Sequence, residues 1–397
     1  MANAHYKILT LNQISPVGLK RFPASRFTVG TQVADPDAIL VRSADLHKVE
    51  IPATVKAIGR AGAGTNNIPV PQMTARGVPV FNTPGANANA VKELVLAGIF
   101  LAARNLIPAL RFTEGLSGDD ATLHKLVEDG KKQFAGIELP GRHLGVIGLG
   151  AVGRLVADAA IKLGMKVTGF DPEITVDAAW SLPNEVRRAH SIEELLRASD
   201  FVTLHVPLLE VTRGLVDAKR VHAMRHGAVL LNFSRDKVVD EDAVLAGIEE
   251  KRIRYYVCDF PSARLQGHPG VVTLPHLGAS TEEAETNCAV MVSDQIRDFL
   301  EHGNILNTVN FPNVYMERES PFRTAIANAN VPNMVGQISS LMGRSGLNIH
   351  NMVNKSRGDM AYTLLDTDSA PSAEVLGQIG SIPGVLVVRS LPSDAQG

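Results

Sequence analysis

A chain of 397 residues exceeds one ordinary domain, so two or three are expected. Hydrophobic residues make up 45% and charged residues 20%, with a formal net charge of −2. That balance suits a globular protein with sizeable cores and argues against a nucleic-acid or membrane-surface binder. The two cysteines, Cys258 and Cys288, make neither a disulfide framework nor a metal-ligand spacing, so a reducing compartment and no metal are expected. The first residues carry no apolar core of a signal peptide, and the longest apolar run, near residues 94–103, is too short to span a bilayer and follows Lys92 and Glu93. A cytoplasmic location is the expectation.

In the first hundred residues, short apolar runs at 7–11, 38–41, 55–58 and 78–80 read as strands at α/β spacing. Arg42 and Ser43 stand just past the second run, and Gly59-Arg60-Ala61-Gly62-Ala63-Gly64 makes a glycine-rich turn at the third. Parallel strands gather ligands at their carboxyl ends. Two arginines beside bare backbone there suit an anionic substrate, a carboxylate or a phosphate, although a surface arginine beside an ordinary turn gives the same pattern. From Asn89 an apolar pattern (Val91, Leu94, Val95, Ile99, Leu101) predicts a buried helix, and 115–132 reads as an exposed polar excursion.

Residues 144–153, Leu-Gly-Val-Ile-Gly-Leu-Gly-Ala-Val-Gly, turn from an apolar strand into Gly148, Gly150 and Gly153. A helix over 154–163 and a strand over 166–170 follow, ending at Asp171, 18 residues beyond Gly153. Strand, G-x-G-x-x-G, helix, strand and acid form the dinucleotide-binding fingerprint in its required context. Gly148 permits the tight turn, Gly150 the approach of the pyrophosphate, and Gly153 the close packing of helix on strand. Ala151 and Val152 open the helix whose N–H groups meet the phosphates. A carboxylate at Asp171 bonds ribose hydroxyls and repels a 2′-phosphate, which favours NAD over NADP.

The strand–helix rhythm continues through strands at 201–206, 227–233, 254–259 and 271–274, with helices opening at Ser191 and Asp240, as in a doubly wound parallel sheet. A helix over 283–300 and a linker lead to a run of different character. Residues 322–391 read strand, helix, strand, strand, helix, strand, a βαββαβ unit of ferredoxin-like type.

Arg235 and His276 each follow an interior strand of the nucleotide sheet. Hydride transfer from a secondary alcohol needs a group to take the hydroxyl proton and a cation to orient an anionic substrate; histidine and arginine supply these. With these residues the chain resembles the D-isomer-specific 2-hydroxyacid dehydrogenases. The motifs that carry the resemblance are Gly59 to Gly64, Gly148 to Gly153, Leu204-His205-Val206-Pro207, Asn232-Phe233-Ser234-Arg235 and Pro275-His276-Leu277-Gly278-Ala279-Ser280-Thr281. The resemblance implies an α/β protein: a Rossmann-type doubly wound sheet (96–279) inserted in a flavodoxin-like substrate domain (1–95 and 280–310), with the active site in the cleft and a C-terminal ACT-like domain (315–397). It implies NAD-dependent oxidation of a phosphorylated 2-hydroxy acid, 3-phospho-D-glycerate to 3-phosphooxypyruvate, the entry to serine biosynthesis. Arg235 and His276 would be catalytic. Arg42, Arg60, Ala61, Gly62, Ala63 and Asn87 would hold the substrate. The glycine loop, Asp171, His205, Pro207, Asn232, Phe233, Ser234 and Asp259 would hold the cofactor, Asp259 facing the nicotinamide amide.

One departure from the family pattern stands out. A glutamate usually follows the aspartate and pairs with the histidine, but 260–275 contains no acid. Asp259 serves both purposes, or His276 works without a carboxylate, or Lys92 takes part; a lysine at an exposed helix edge explains Lys92 as well. The ACT-like resemblance implies an L-serine effector near Asn328, Asn330 and Asn348, amides able to donate and accept to an amino acid's charged ends. Asn328 stands where relatives often have histidine, so another amino acid or a purely structural dimer interface is the alternative. The family resemblance implies a homodimer or homotetramer. The competing functions are a glyoxylate or hydroxypyruvate reductase and a non-catalytic NAD-sensing module.

Overall fold

The computed structural model describes residues 5–391, which divide into two compact units, one running to Ala86 and resuming at Glu282, the other Asn87–Thr281. The first unit opens with β1 (Tyr6–Leu11), α1 (Pro16–Leu19), β2 (Phe27–Gly30), β3 (Ala38–Val41), β4 (Ala57–Arg60), α2 (Val70–Ala75) and β5 (Val80–Phe81). The sheet is parallel throughout, in the flavodoxin-like order β2-β1-β3-β4-β5. All four residues of β3 are buried, as a parallel strand covered on both faces requires. β2 was not foreseen because it is a short edge strand in which only Phe27 is buried.

The second unit comprises α3 (Ala88–Ala103), α4 (Leu106–Glu114), α5 (Asp120–Gly130), β6 (His143–Ile147), α6 (Ala151–Lys162), β7 (Lys166–Phe170), α7 (Val176–Trp180), β8 (Arg187–Arg188), α8 (Ile192–Ala198), β9 (Phe201–Leu204), α9 (Ala218–Ala223), β10 (Ala228–Asn232), α10 (Glu241–Glu249), β11 (Ile253–Cys258) and β12 (Val271–Thr273). Its strands are parallel in the order β12-β11-β10-β9-β6-β7-β8, a doubly wound sheet whose order reverses between β6 and β9. α3 lies whole in this unit, whereas a break at residue 95 would cut it. The polar excursion is helical in part: Asp119 caps α5 by accepting from the Thr122 N–H, and the helix buries none of its residues. α8 is capped by Ser191, which accepts from the Glu194 N–H, while the Glu194 carboxylate accepts from the N–H of His190, the residue before the cap.

The chain returns to the first unit with α11 (Glu282–His302) and then β13 (Phe322–Ala329), α12 (Met334–Arg344), β14 (Ile349–Arg357), β15 (Met360–Thr367), α13 (Ala373–Gly380) and β16 (Val385–Leu391). The last four strands are antiparallel in the order β14-β15-β13-β16, the ferredoxin-like arrangement. The tail packs α12 and α13 on one face of this sheet through Ile326, Ile338, Leu365 and Ile379. On the other face Ala325, Tyr362, Leu364 and Leu391 join Phe299, Leu300 and Phe311 in the core that also contains Tyr6 and Ile8. The tail is therefore built into the first unit and shares its core. Arg323, fully buried, pairs with Asp366 at 2.7 Å and donates to the carbonyls of His302, Met316 and Glu317. Arg389 lies 4.3 Å above the Phe299 ring. Among the described residues no single helix is long and apolar enough to cross a membrane.

Candidate active site

The loop after β6 lies at the reversal of strand order. Gly148 has φ of 91°, and a Cβ there would come within 2.5 Å of the His205 carbonyl oxygen. A Cβ on Gly153 would come within 1.9 Å of the Gly148 carbonyl oxygen, so helix and loop touch only because both residues are glycine. A Cβ on Gly150 would meet nothing within 4 Å. Gly150 is the N-cap of α6, with no side-chain cap, and Ala151 and Val152 form the first turn. At the end of β7, the Asp171 carboxylate accepts from the Leu149 N–H at 2.8 Å and the Glu173 N–H at 3.0 Å. An uncapped helix start, open space over Gly150 and a held carboxylate fit a dinucleotide: backbone N–H groups for the pyrophosphate, and Asp171 for the ribose hydroxyls.

His205 follows β9 across the same reversal, its N–H donating to the Ile147 carbonyl at 2.7 Å. Its Nε2 lies 2.9 Å from Thr203 Oγ1, and burial lowers its pKa to about 3, which keeps the ring neutral at pH 7. Pro207, two residues on, is exposed.

The ends of β10, β11 and β12 bring together Arg235, Asp259 and His276; β12 is an edge strand of the sheet, so only Arg235 follows the interior strand expected for both catalytic candidates. Asn232, fully buried, organises the β10 turn. Its side-chain oxygen accepts from the Ser234 N–H and hydroxyl, and its amide donates to the Arg235 carbonyl at 2.9 Å. Phe233 is buried, its ring against Gly98 of α3. Arg235 is partly exposed and donates through Nη1 to the Ser234 carbonyl at 2.6 Å. Asp259 is 1% exposed, and its two carboxylate oxygens accept from the Leu277 and Gly278 N–H groups, each at 2.8 Å. His276 is exposed with φ of 56° and meets the Phe260 ring edge-on, centroids 5.2 Å apart. Among the described residues no carboxylate lies within ion-pair distance of its ring. Phe260 was missed from sequence because nothing in a lone phenylalanine signals an edge contact to the next strand end. Lys92, on α3, has a side chain 20% exposed and lies 3.5 Å from Glu93.

The anion-binding candidates divide between the units. Asn87 is the N-cap of α3 in the second unit and makes no side-chain cap bond. Arg42 and residues 60–63 belong to the first. There Arg60 Nε donates to the Arg42 carbonyl at 3.2 Å, and Ala61 N–H to the Val41 carbonyl at 2.8 Å. Gly62 accepts from the Thr83 N–H at 3.1 Å, and Ala63 from the Asn82 amide at 2.6 Å. The loop is thus fixed as a turn over β3 and β4. Arg42 Nη1 lies 2.7 Å from the Glu285 carboxylate, in the first turn of α11. Sequence reading missed Glu285, whose only signal was the acidic start of a long helix.

The three effector candidates do not converge within one chain. Asn328, buried, pairs across the sheet with Ala361, and its amide donates to the Ala329 carbonyl. Asn330, exposed, donates its amide to the Gly358 carbonyl. Asn348 lies at the other end of β15, where its carbonyl accepts from the Asp368 N–H. Seven residues of extended strand, about 23 Å, separate the two ends.

A family model described as D-isomer specific 2-hydroxyacid dehydrogenase, NAD binding domain, matches residues 109–278. A D-3-phosphoglycerate dehydrogenase of Dictyostelium discoideum is 30% identical over 416 aligned positions, covering 97% of each chain. One of Methanocaldococcus jannaschii is 36% identical over 296, 72% of this chain but 54% of the relative, so the chain spans about half of that longer protein. Among solved structures, the NAD+-bound 3-phosphoglycerate dehydrogenase of Entamoeba histolytica aligns with a TM-score of 0.58 at 24% identity, over 79% of this chain and 100% of the other; that likeness is one of fold.

Proposed function

This chain belongs to the D-isomer specific 2-hydroxyacid dehydrogenase family as an NAD-dependent enzyme, and from that premise we propose that it oxidises 3-phospho-D-glycerate to 3-phosphooxypyruvate, opening a route to serine. The observation that carries the reading is the meeting of three strand ends. Arg235 and His276 stand beside Asp259 on the sheet whose order reversal carries the glycine loop and Asp171. NAD, when bound, supplies the hydride acceptor. His276 takes the proton of the substrate's 2-hydroxyl as the C–H electron pair leaves as hydride, and returns that proton to water. Arg235 orients the carboxylate and developing carbonyl by forked hydrogen bonds. Asn87, at the start of α3 in the same unit, holds an anionic end of the substrate.

An absorbance assay for NADH across 3-phospho-D-glycerate, D-glycerate, glyoxylate and hydroxypyruvate tests this. The phosphorylated acid is expected to give the highest kcat/KM; preference for glyoxylate or hydroxypyruvate contradicts it. One observation favours that second, reductase reading: Glu285 already engages Arg42, which offsets part of its positive charge. In the main reading the tail is regulatory, with L-serine as effector. Asn330 and Asn348, at opposite ends of β15, would share one effector only across two copies, which suits a homodimer or homotetramer in the cytoplasm. Activity titrated with serine, glycine and other amino acids decides between regulation and assembly.

A further inference from the structure

We propose that Asp259 is a positioning residue that holds the His276 loop and ties it to the turn bearing Arg235. The inference deepens the functional reading and rests on His276 as the proton shuttle. His276 occupies the left-handed region, φ 56°, an uncommon conformation for a residue with a β-carbon and one whose cost its surroundings must offset. Contacts that hold this conformation begin one residue further on. The N–H groups of Leu277 and Gly278 converge on a single buried carboxylate, one on each oxygen of Asp259, both at 2.8 Å.

A carboxylate accepts on both oxygens and donates on neither, so it can satisfy two successive backbone N–H groups at once. An amide of the same shape cannot, because its NH2 faces one of them donor to donor. The other side of Asp259 completes the link. Its backbone N–H donates to the Asn232 carbonyl at 3.2 Å, and the Asn232 side chain holds the Arg235 carbonyl. Arg235 and His276 are thus set relative to each other through one buried acid at the end of β11. The ring of His276 meets the Phe260 edge, so the loop's backbone and an aromatic neighbour orient it. This work differs from contact with the nicotinamide amide, which the family resemblance implies for the aspartate.

The test is a double-variant cycle on the full chain with Asp259→Asn, His276→Ala and both together. It reads kcat at saturating NAD and 3-phospho-D-glycerate, NADH affinity by fluorescence titration, and the melting temperature. Asp259→Asn is expected to lower kcat by roughly 10- to 100-fold at saturating NAD, the scale of a misplaced catalytic group, over and above any loss of NADH affinity from the nicotinamide contact. On the His276→Ala background it is expected to cost nothing further. Losses that multiply in the double variant, a wild-type kcat in Asp259→Asn, or a defect confined to NADH affinity would each overturn the proposal. If Asp259→Asn does not fold, Asp259→Ser carries the same comparison. Near-normal turnover in His276→Ala overturns instead the shuttle assignment on which the proposal stands.

Discussion

His205 shows how burial decides a residue's chemistry. An unfolded chain protonates it near its ordinary 6.5, whereas desolvation in the folded chain lowers that value to about 3. Between these values the unfolded state binds the extra proton, so stability present above 6.5 is lost as pH falls toward 3. Replacing His205 with glutamine is expected to flatten the fall of melting temperature between pH 6.5 and 4; an unchanged slope would mean other groups dominate. The motif Leu204-His205-Val206-Pro207 was legible in sequence, but the neutral ring was not, because it depends on what β6 and β9 place around it. The same holds for Arg42: its position after a strand was readable, its partner Glu285, 243 positions later, was not.

Elements carried the most legible information. The apolar strand, three glycines and terminal acid of β6, α6 and β7 are local features, each readable from its neighbours, and the strand over 166–170 was placed without error. Short or polar elements escaped: β2 with one buried residue, β8 with two exposed arginines, and α5 with no buried face. β2 and β8 are too short to show a period, and α5 leaves its short apolar stripe of Leu123, Leu126 and Val127 outside the core. The glycine loop also separates packing from binding. Gly153→Ala forces a methyl group onto the Gly148 carbonyl and is expected to destabilise the unit by about 1–3 kcal/mol in denaturant melts. Gly150→Ala adds a methyl group to open space, so the melt stays near wild type while NADH affinity falls by roughly tenfold or more, about 1.4 kcal/mol. Equal effects of the two substitutions on stability would contradict this division of labour.

Across the whole molecule, the sequence separated the flavodoxin-like, Rossmann-type and ferredoxin-like sheets, because each has its own rhythm of elements. It did not show that the tail shares a core with the first sheet, since periodicity tells which faces are apolar and not which faces meet. Arg323 illustrates the point: one cation from the tail ties Asp366 to the carbonyls of His302, Met316 and Glu317. Asp366→Ala leaves that buried guanidinium without its counter-charge and is expected to cost about 3–5 kcal/mol. The melt should show the tail and first sheet lost in one transition; a separate early transition of the tail would argue against the shared core. The central claim, an NAD-dependent dehydrogenase whose proton shuttle is His276, is met most directly by one measurement: turnover of His276→Ala with 3-phospho-D-glycerate, alongside NADH titration of the same sample. The account predicts that turnover is largely abolished while NADH affinity stays nearly unchanged. Near-normal turnover in that variant would contradict it.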